Sequence, residues 1–365
     1  MSVACGIVGL PQSGKTTIFN ALTAAGAQTH AYGAASQDPN VAVVPVPDPR
    51  LDDLGRAFNT RKIVPATLKF VDVAGLVRGA SQGQGIGNQF LAHIREVDCI
   101  VQVVRCFENP EVPHVEGSVS AVRDAETIGL ELALADLGSV EKRKDKAART
   151  ARTGDEEAKK VVTALDKVLP ALEIGEPARK AELRPEEWAL LSDLNLLTAK
   201  PMIYVANVDE TGLDPAHPQA AALEELAAKE NVAVFRIVGS IEAEMAELSE
   251  EEKPEFMEAY GLKESGLGKL IKTAFSTLDL MTFLTAGEKE TRAWTITRGS
   301  RAPQAAGKIH SDMERGFIRM EIFSYDDWVQ CGRDVKRVKE KGLYRREGKD
   351  YVMQEGDVCE VLFNV

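Results

Sequence analysis

Short apolar runs alternate with longer amphipathic stretches in the first third of the chain and again after residue 200. These runs are rich in β-branched residues and almost continuous, as in strands that are buried on both faces of a parallel sheet. They cover residues 3–8, 67–73, 99–104, 201–205 and 232–237. A helix is predicted directly after the first run, over residues 15–24. The pattern predicts an α/β fold with a mostly parallel, doubly wound sheet.

Between residues 124 and 197 the chain has no strand-like run and is rich in Ala, Leu, Glu, Lys and Arg. Apolar residues recur there at helical spacing, which predicts two long helices paired as an antiparallel hairpin. The two stripes are Ile128, Leu132, Ala135 and Val140, and then Val161, Leu165, Val168, Leu169 and Leu172. Residues 141–152, where the hairpin should turn, hold six basic and two acidic residues. They are typical either of a solvated helix face or of a contact with RNA or a partner protein.

From about residue 278 onward the pattern changes again. Short strand candidates at residues 293–298, 317–323, 350–352 and 360–364 are separated by glycines and charged turns. We expect a compact β-rich module of fewer than 100 residues at this end of the chain.

Residues 9–16 read Gly-Leu-Pro-Gln-Ser-Gly-Lys-Thr and fit the phosphate-loop pattern, with a strand before them and a helix after them. Gly9 and Gly14 permit the torsions and the close approach that a Cβ would block. Backbone N–H groups and the helix N-terminus would then face phosphate oxygens. We expect Lys15 to reach the β- and γ-phosphates and the Thr16 hydroxyl to bind Mg²⁺. The motif predicts a P-loop nucleoside triphosphatase.

Asp72 and Gly75 form an Asp-x-x-Gly motif at the end of the second predicted strand. In such enzymes the aspartate holds magnesium and the glycine N–H turns to the γ-phosphate. Ser36 lies in a loop where a hydroxyl would suit a switch that closes on the metal. Leu76 stands where Ras-like enzymes place a water-orienting glutamine, so hydrolysis needs another group. His114, in a Pro-flanked, Glu-rich loop, is the candidate for that role, although a lone histidine there is often structural.

The base-reading candidate is Asn207-Val208-Asp209-Glu210, directly after a predicted buried strand. GTPases use Asn-Lys-x-Asp, whose aspartate pairs with guanine. Here Val208 replaces the lysine and Glu210 is one methylene longer than aspartate, while Asn207 could pair with an adenine amino group. We expect a preference for ATP.

The formal net charge of −12 argues against wholesale wrapping of nucleic acid. Residues 281–365 are near neutral, with 15 Lys and Arg against 14 Asp and Glu. The five cysteines form no Cys-x-x-Cys pair, which argues against a zinc site or a disulfide framework. No apolar run approaches the roughly 20 residues of a membrane span, and the first ten residues lack a signal-peptide pattern. We expect a cytoplasmic protein without a membrane partner.

Taken together, these motifs resemble the YchF family, the Obg-like ATPases of the translation-factor class. The resemblance spans nearly the whole chain. Besides the motifs above, it is carried by the runs at residues 5–11 (Cys-Gly-Ile-Val-Gly-Leu-Pro), 38–40 (Asp-Pro-Asn), 45–51 (Pro-Val-Pro-Asp-Pro-Arg-Leu), 85–91 (Gly-Ile-Gly-Asn-Gln-Phe-Leu) and 93–95 (His-Ile-Arg).

The resemblance implies a G domain over residues 1–125 and 198–278, a coiled-coil insertion over residues 126–197, and a β-grasp-like TGS domain over residues 279–365. It also implies an Asn-x-x-Glu motif that favours ATP, a hydrophobic residue in place of the catalytic glutamine, and a histidine, here His114, that assists hydrolysis. Stimulation by K⁺ and binding to the ribosome or a ribosomal subunit are further family expectations.

Three positions depart from the family pattern. Gln12 and Ser13 replace an Asn-Val pair, which puts a contact to the monovalent cation in doubt. Residues 34–40 keep only the hydroxyl of Ser36 from the usual switch segment. Residues 238–240 read Val-Gly-Ser where the family has Ser-Ala-Lys.

The predicted site is therefore catalytic at His114 and Lys15 and metal-binding at Thr16, Ser36 and Asp72. The predicted nucleotide contacts are Gln12, Ser13, Gly14, Lys15, Thr16, Thr17, Gly75, Asn207, Val208 and Glu210. We expect a slow ATPase that binds Mg²⁺ and whose nucleotide state controls its association with the ribosome, with RNA contacts through the helical insertion and the TGS domain. The alternatives are a GTPase of the same fold and a nucleotide-binding RNA or protein adaptor with negligible turnover.

Overall fold

The computed structural model describes residues 3–29, 40–73, 86–249 and 251–364, and only the backbone of residues 27–29 and 86–89. The described residues divide into two compact units. Among the described residues, the first unit holds residues 3–25, 40–42 and most of 69–267, and the second holds residues 26–29, 43–68 and 268–364.

The described residues form two six-stranded sheets. The first has the order β2 (Val41–Pro45), β4 (Thr67–Asp72), β1 (Ala4–Val8), β5 (Cys99–Arg105), β6 (Met202–Val208) and β7 (Ala233–Val238). Strand β1 pairs in parallel with β4 and β5, and β5, β6 and β7 follow in parallel register. All residues of β1, β5 and β6 are buried, because helices cover both faces of the sheet. The doubly wound α/β prediction is confirmed.

The helices, numbered along the chain, lie mostly between these strands. They are α1 (Lys15–Thr29), α2 (Pro49–Ala57), α3 (Ile86–Glu96), α4 (Ala121–Ala151), α5 (Glu156–Glu173), α6 (Pro185–Leu190), α7 (Pro218–Glu230), α8 (Gly239–Glu247), α9 (Lys253–Ala259), α10 (Gly266–Thr277), α11 (Ala302–Ile309), α12 (Ser311–Arg315), α13 (Tyr325–Gln330) and α14 (Val335–Glu340). Single 3₁₀ turns cover Ala178–Lys180, Ser192–Leu194, Leu197–Ala199 and Glu210–Leu213.

The predicted helical hairpin is present as α4 and α5. The N-terminal part of α4 packs into the sheet core through residues such as Ile128 and Leu132, and its later part packs against α5. Fully buried residues such as Leu165 and Val168 each contribute roughly 1.5–3 kcal/mol by removing apolar surface from water. Helix α5 begins with an Asp155 side chain that accepts from the N–H of Ala158. The sheet region and the hairpin are therefore joined by one continuous helix.

The second unit contains the other sheet, which mixes parallel and antiparallel pairs. Its order is β11 (Arg345–Glu347), β10 (Phe317–Ser324), β12 (Asp357–Phe363), β8 (Leu280–Thr285), β9 (Thr291–Thr297) and β3 (Ile63–Val64). Strands β12 and β8 are parallel, as are β3 and β9, and the remaining pairs are antiparallel. The β-rich C-terminal module predicted from the sequence is confirmed.

The Pro-Asp-Pro-Arg segment that begins α2 is held within the second unit. Asp48 caps the helix by accepting from the N–H of Arg50, and Pro49 occupies the first turn. The Arg50 guanidinium donates to both carboxylate oxygens of Asp48 at 2.7 Å. It also donates to Thr282 of β8 at 2.8 Å and to Glu355 at 2.6 Å. This motif therefore ties residues 48–50 to the C-terminal sheet.

The structure adds strands that the pattern did not predict, namely β2, β3, β8 and β11. The predicted strand at residues 350–352 is reduced to one bridge between Val352 and Arg301. Helix α4 begins at Ala121, three residues before the predicted start. The domain limits stay a prediction. The structure groups residues 43–68 with the C-terminal residues and the hairpin helices with the phosphate-loop sheet.

Candidate functional site

The phosphate loop forms the turn between β1 and α1. Gly14 has φ +87°, and a Cβ there would lie 1.9 Å from Nδ2 of Asn207. A Cβ on Gly9 would lie 2.5 Å from Oγ of Ser13 and 2.7 Å from the carbonyl oxygen of Val103. Neither position can accept a side chain without moving the loop. The loop opens onto a cavity of about 420 Å³.

Six consecutive positions of the loop were predicted to contact nucleotide, and five of them line this cavity. The five are Gln12, Gly14, Lys15, Thr16 and Thr17. Leu10 and Pro11, which were not predicted as contacts, also line the cavity. The side chains of Gln12, Thr16 and Thr17 are exposed. Ser13 does not line the cavity, because its side chain is buried and its N–H donates to the carbonyl of Leu10.

Lys15 and Asp72 form an ion pair at the edge of the phosphate loop. Nζ of Lys15 donates to Oδ1 of Asp72 over 2.9 Å, and the side chains are 11% and 19% exposed. Asp72 is the last residue of β4, which lies next to β1 in the sheet. Both charges are thus within reach of solvent, and each is neutralised by the other.

These residues fit a magnesium–polyphosphate complex. A polyphosphate would offer Lys15 a stronger anionic partner, and this would free the Asp72 carboxylate for a cation. The Thr16 hydroxyl, in the first turn of α1, is the second oxygen donor. Hydroxyl and carboxylate oxygens, completed by phosphate oxygens and water, are the ligands that Mg²⁺ takes in proteins. Ser36 and Gly75, predicted for the metal and the γ-phosphate, lie outside the described residues, as does Leu76.

The Asn207 side chain connects three segments of the chain through hydrogen bonds. Its Nδ2 donates to the carbonyl of Ser13 over 2.9 Å, and its Oδ1 accepts from the N–H of Gly239 over 3.1 Å. The residue is 4% exposed. The side chain therefore joins the end of β6 to the phosphate loop and to the start of α8. Its contact with a base stays a prediction, and the geometry favours a role in positioning the loop.

Val208 and Glu210 differ in how they could meet a base. Val208 is buried, and a Cβ on Gly212 would lie 2.4 Å from its Cβ, so its side chain packs against the following turn. Glu210 is exposed and has no hydrogen bond or ion pair among the described residues. Asp209 caps that turn by accepting from the N–H of Gly212. Of this motif, Glu210 is the acidic side chain that is free to contact a ligand.

His114 lies in the loop between β5 and α4, against the phosphate loop. Its Nε2 is 2.7 Å from Oδ2 of Asp124, and its Nδ1 accepts from the N–H of Glu116 over 3.1 Å. It lines a small cavity with Leu10, Pro11 and Ser13, and it does not line the phosphate cavity. Its catalytic role stays a prediction.

Three buried side chains near this loop carry a polar atom that is unpaired in the described part of the chain, and two of them, Gln102 and Arg105, were not identified from the sequence. Oγ of Ser13, Oε1 of Gln102 and one terminal nitrogen of Arg105 have no hydrogen-bond partner among the described residues. Gln102 and Arg105 interrupt the otherwise apolar strand β5, and this was the signal that could have found them. Burial also raises the pKa of the Cys106 thiol to about 12, so this neighbouring residue stays protonated.

Comparisons with known proteins match both parts of the chain. Residues 4–134 match the family described as 50S ribosome-binding GTPase, and residues 280–364 match YchF-GTPase_C, described as a protein of unknown function. In the part of the chain that the structure describes, none of the helices has the length and apolar character that a membrane crossing requires.

Relatives align over the whole length. The protein named ribosome-binding ATPase YchF from Haemophilus influenzae is 47% identical over 365 residues, covering all of both chains. The protein of that name from Bacillus subtilis is 48% identical over 367 residues, again covering both chains. A solved structure, the Schizosaccharomyces pombe YchF GTPase, is 36% identical with a TM-score of 0.89, covering 99% of this chain and 98% of that one. The chain is a P-loop NTPase with a C-terminal β-rich module, and it belongs to the YchF family.

Proposed function

We propose that the chain hydrolyses ATP, held with Mg²⁺ in the phosphate loop, and that its nucleotide state controls its association with the ribosome. The observation that carries the proposal is the Lys15–Asp72 pair at a loop whose glycines leave room for a polyphosphate. Curated relatives that match the full chain carry the name ribosome-binding ATPase. Cytoplasmic localisation follows from that partner.

Binding begins with an exchange of ionic partners. Lys15 leaves Asp72 for the β- and γ-phosphate oxygens, and the first N–H groups of α1 face the phosphates. Thr16 and Asp72 would hold Mg²⁺, with Ser36 joining from the switch segment. The metal supplies neutralisation of the charge that develops on the β- and γ-oxygens. The protein's part is to fix the phosphates in line for attack by water.

Hydrolysis needs a group that orients this water, because Leu76 cannot do so. His114 is the titratable candidate among the described residues, and it lines the same narrow gap as the phosphate-loop residues Leu10 and Pro11. We propose that its ring turns to the water when the nucleotide is bound. Gln12 is exposed at the loop, and we propose that it takes the place of the family's asparagine beside K⁺.

Ribosome association is tested by co-sedimentation of the full chain with ribosomes in ATP, ADP, a non-hydrolysable ATP analogue or no nucleotide. We expect the bound fraction to differ between the triphosphate and diphosphate states. The same assay on Lys15→Ala should lose this difference, since the loop no longer holds nucleotide. Equal sedimentation in all states, for both proteins, would favour an adaptor with negligible turnover.

The choice of base is tested by competition between ATP and GTP for the same site. The fission-yeast relative is named a GTPase, so GTP is the specific alternative to ATP as the ligand. The Glu210 carboxylate is exposed and has no hydrogen-bond or ion-pair partner in the described part of the chain. We expect ATP to bind more tightly. A tenfold preference for GTP, about 1.4 kcal/mol, would replace the ATPase proposal by the GTPase one.

A further inference from the structure

Both ring nitrogens of His114 are occupied by groups of the protein. Nδ1 accepts from the N–H of Glu116, so this nitrogen carries no proton in the described arrangement. The ring proton therefore sits on Nε2, which donates to Oδ2 of Asp124 over 2.7 Å. Both side chains are only 4% exposed. His114 thus has a defined tautomer and no nitrogen free to contact a water molecule.

Asp124 is fixed independently of the histidine. It lies in the first turn of α4, where the helix dipole favours a negative charge. Its Oδ1 accepts from Nε of Arg123 at 3.1 Å and from a terminal nitrogen of the same side chain at 2.9 Å. The carboxylate would therefore keep its place if the ring moved away.

A buried arginine, Arg105, lines the narrow gap beside His114 and Asp124 and has one terminal nitrogen without a hydrogen-bond partner among the described residues. Arg105 is 2% exposed, and its guanidinium donates to the carbonyl oxygens of Phe107 and Asn109 at 3.1 and 3.4 Å. Its remaining terminal nitrogen has no partner, and no carboxylate lies within ion-pair distance of it in the part of the chain that is described. Arg105, Asp124 and His114 line the same small cavity. A buried guanidinium without a carboxylate is costly, even with the centre of the Phe107 ring 4.6 Å away.

We infer that Asp124 is a positioning residue that stores His114 in a resting state, away from the phosphate cavity, and so sets the basal rate of hydrolysis. This inference rests on the proposed ATPase function. Release of the ring breaks one hydrogen bond, after which Asp124 keeps Arg123 and can be reached by Arg105. No bond is made or broken covalently, and the ring proton stays on the histidine. Because Asp124 is part of α4, a force on the helical hairpin would act directly on this contact.

The test compares Asp124→Ala, His114→Ala and the double variant in steady-state ATP hydrolysis by the full chain. If the contact with Asp124 keeps His114 in the resting position in most molecules, Asp124→Ala should raise kcat by about three- to tenfold with KM unchanged. His114→Ala should lower kcat, and the double variant should match it, because the gain needs the histidine. Asp124→Asn keeps an acceptor oxygen, so we expect a smaller rise; it also serves if the alanine variant does not fold.

A second readout does not depend on turnover. Nitrogen-15 NMR of the histidine side chains, with His114 identified through His114→Ala, should show the Nε2–H tautomer in the unmodified chain. In Asp124→Ala the Nε2 resonance of His114 should shift, because its hydrogen bond to the carboxylate is lost. Asp136→Asn is the matched control, since Asp136 is another buried acid of α4 that contacts Leu197 and Thr198 instead. It should leave both kcat and the His114 spectrum unchanged.

The outcomes separate the two proposals. A fall in kcat for Asp124→Ala, or an unchanged His114 spectrum, would overturn the storage role while leaving the ATPase proposal intact. A rise in kcat that persists in the double variant would also overturn it. Failure of the unmodified chain to hydrolyse ATP would refute the proposed function, and the NMR result would still decide whether Asp124 fixes the ring.

Discussion

At the residue scale, Lys15 and Asp72 form an ion pair at the phosphate loop. They are 57 positions apart and meet because β4 lies beside β1. The pair is accessible enough for a ligand to replace either partner. A lysine that is already ordered at the loop needs a short movement to reach a phosphate.

Lys15→Ala should weaken nucleotide binding strongly. The charged hydrogen bond to phosphate is worth about 1.5–3 kcal/mol, which corresponds to about a 10- to 150-fold rise in Kd. Isothermal titration with Mg²⁺ and a non-hydrolysable ATP analogue measures this. Lys159→Ala, which removes an exposed pair with Glu156, is the control and should bind as before. Comparable affinities in all three proteins would show that Lys15 does not contact the phosphates.

Asn207→Ala should remove the hydrogen bonds that hold the phosphate loop in place, without changing the preference of the site between ATP and GTP. Two buried hydrogen bonds are lost, and the buried backbone groups of Ser13 and Gly239 are left unpaired, which costs about 1–3 kcal/mol in stability. Affinities for ATP and GTP should fall by the same factor. Glu210→Ala should do the reverse, with unchanged stability and an altered ratio. If instead Asn207→Ala changes the ratio and leaves the melting temperature alone, Asn207 reads the base.

The residues that the sequence placed at the phosphate loop are those whose position depends on local context. Gly14 and Lys15 belong to one turn between a strand and a helix, so their spacing is sufficient. Asp124 and Arg105 have no such signal, because their significance comes from tertiary contacts with a loop. Asn207 was singled out as a base contact, but its two hydrogen-bond partners, 194 and 32 positions away, have no signal in the sequence.

At the scale of elements, α4 carries buried acids that an amphipathic pattern does not predict. Asp136 is fully buried and accepts from the N–H groups of Leu197 and Thr198 and from the Thr198 hydroxyl. These bonds hold the chain that returns from the hairpin to β6. Burial raises the pKa of Asp136 despite these donors.

Asp136 should therefore make stability depend on pH in a defined direction. A carboxyl whose pKa is higher in the folded than in the unfolded state contributes stability below about pH 4, and the contribution is lost as pH rises through the folded pKa. The free energy of unfolding of the unmodified chain, relative to Asp136→Asn, should thus decrease from about pH 4 upward. Urea titrations over a series of pH values measure it. A difference that is flat or increases with pH would contradict the burial argument.

Glu187 should give a pH dependence of stability opposite in sign to that of Asp136, so it serves as a control. The N–H of Arg184 and the ammonium of Lys167 lower its pKa to about 2. Its contribution is present above about pH 4.3 and is lost as pH falls toward 2. Relative to Glu187→Gln, the unmodified chain should therefore lose stability on acidification.

Long elements were easier to predict than short ones. The stripes of α4 and α5 repeat over several turns, and the buried strands β1, β5 and β6 are almost continuous apolar runs. Strand β3 has two residues and β11 has three, too few for any periodicity. Strand β8 is a continuous apolar run beside the end of α10, which hides the boundary between helix and strand.

At the scale of the whole molecule, sequence order and spatial grouping differ. Residues 43–68 follow the switch segment in the chain, yet they group with the C-terminal residues through contacts such as Arg50 to Glu355. These partners are 305 positions apart, so no local pattern could have paired them. The three-domain division by sequence therefore remains a prediction, while the two units describe where contacts are dense.

The most direct measurement is a crystal structure of the full chain with Mg²⁺ and a non-hydrolysable ATP analogue. We predict a polyphosphate along the backbone of residues 9–16, with Nζ of Lys15 on the β- and γ-oxygens and released from Asp72. The metal should lie between the Thr16 hydroxyl and the Asp72 carboxylate. A loop without nucleotide at saturating concentration, with Lys15 still on Asp72, would contradict the account.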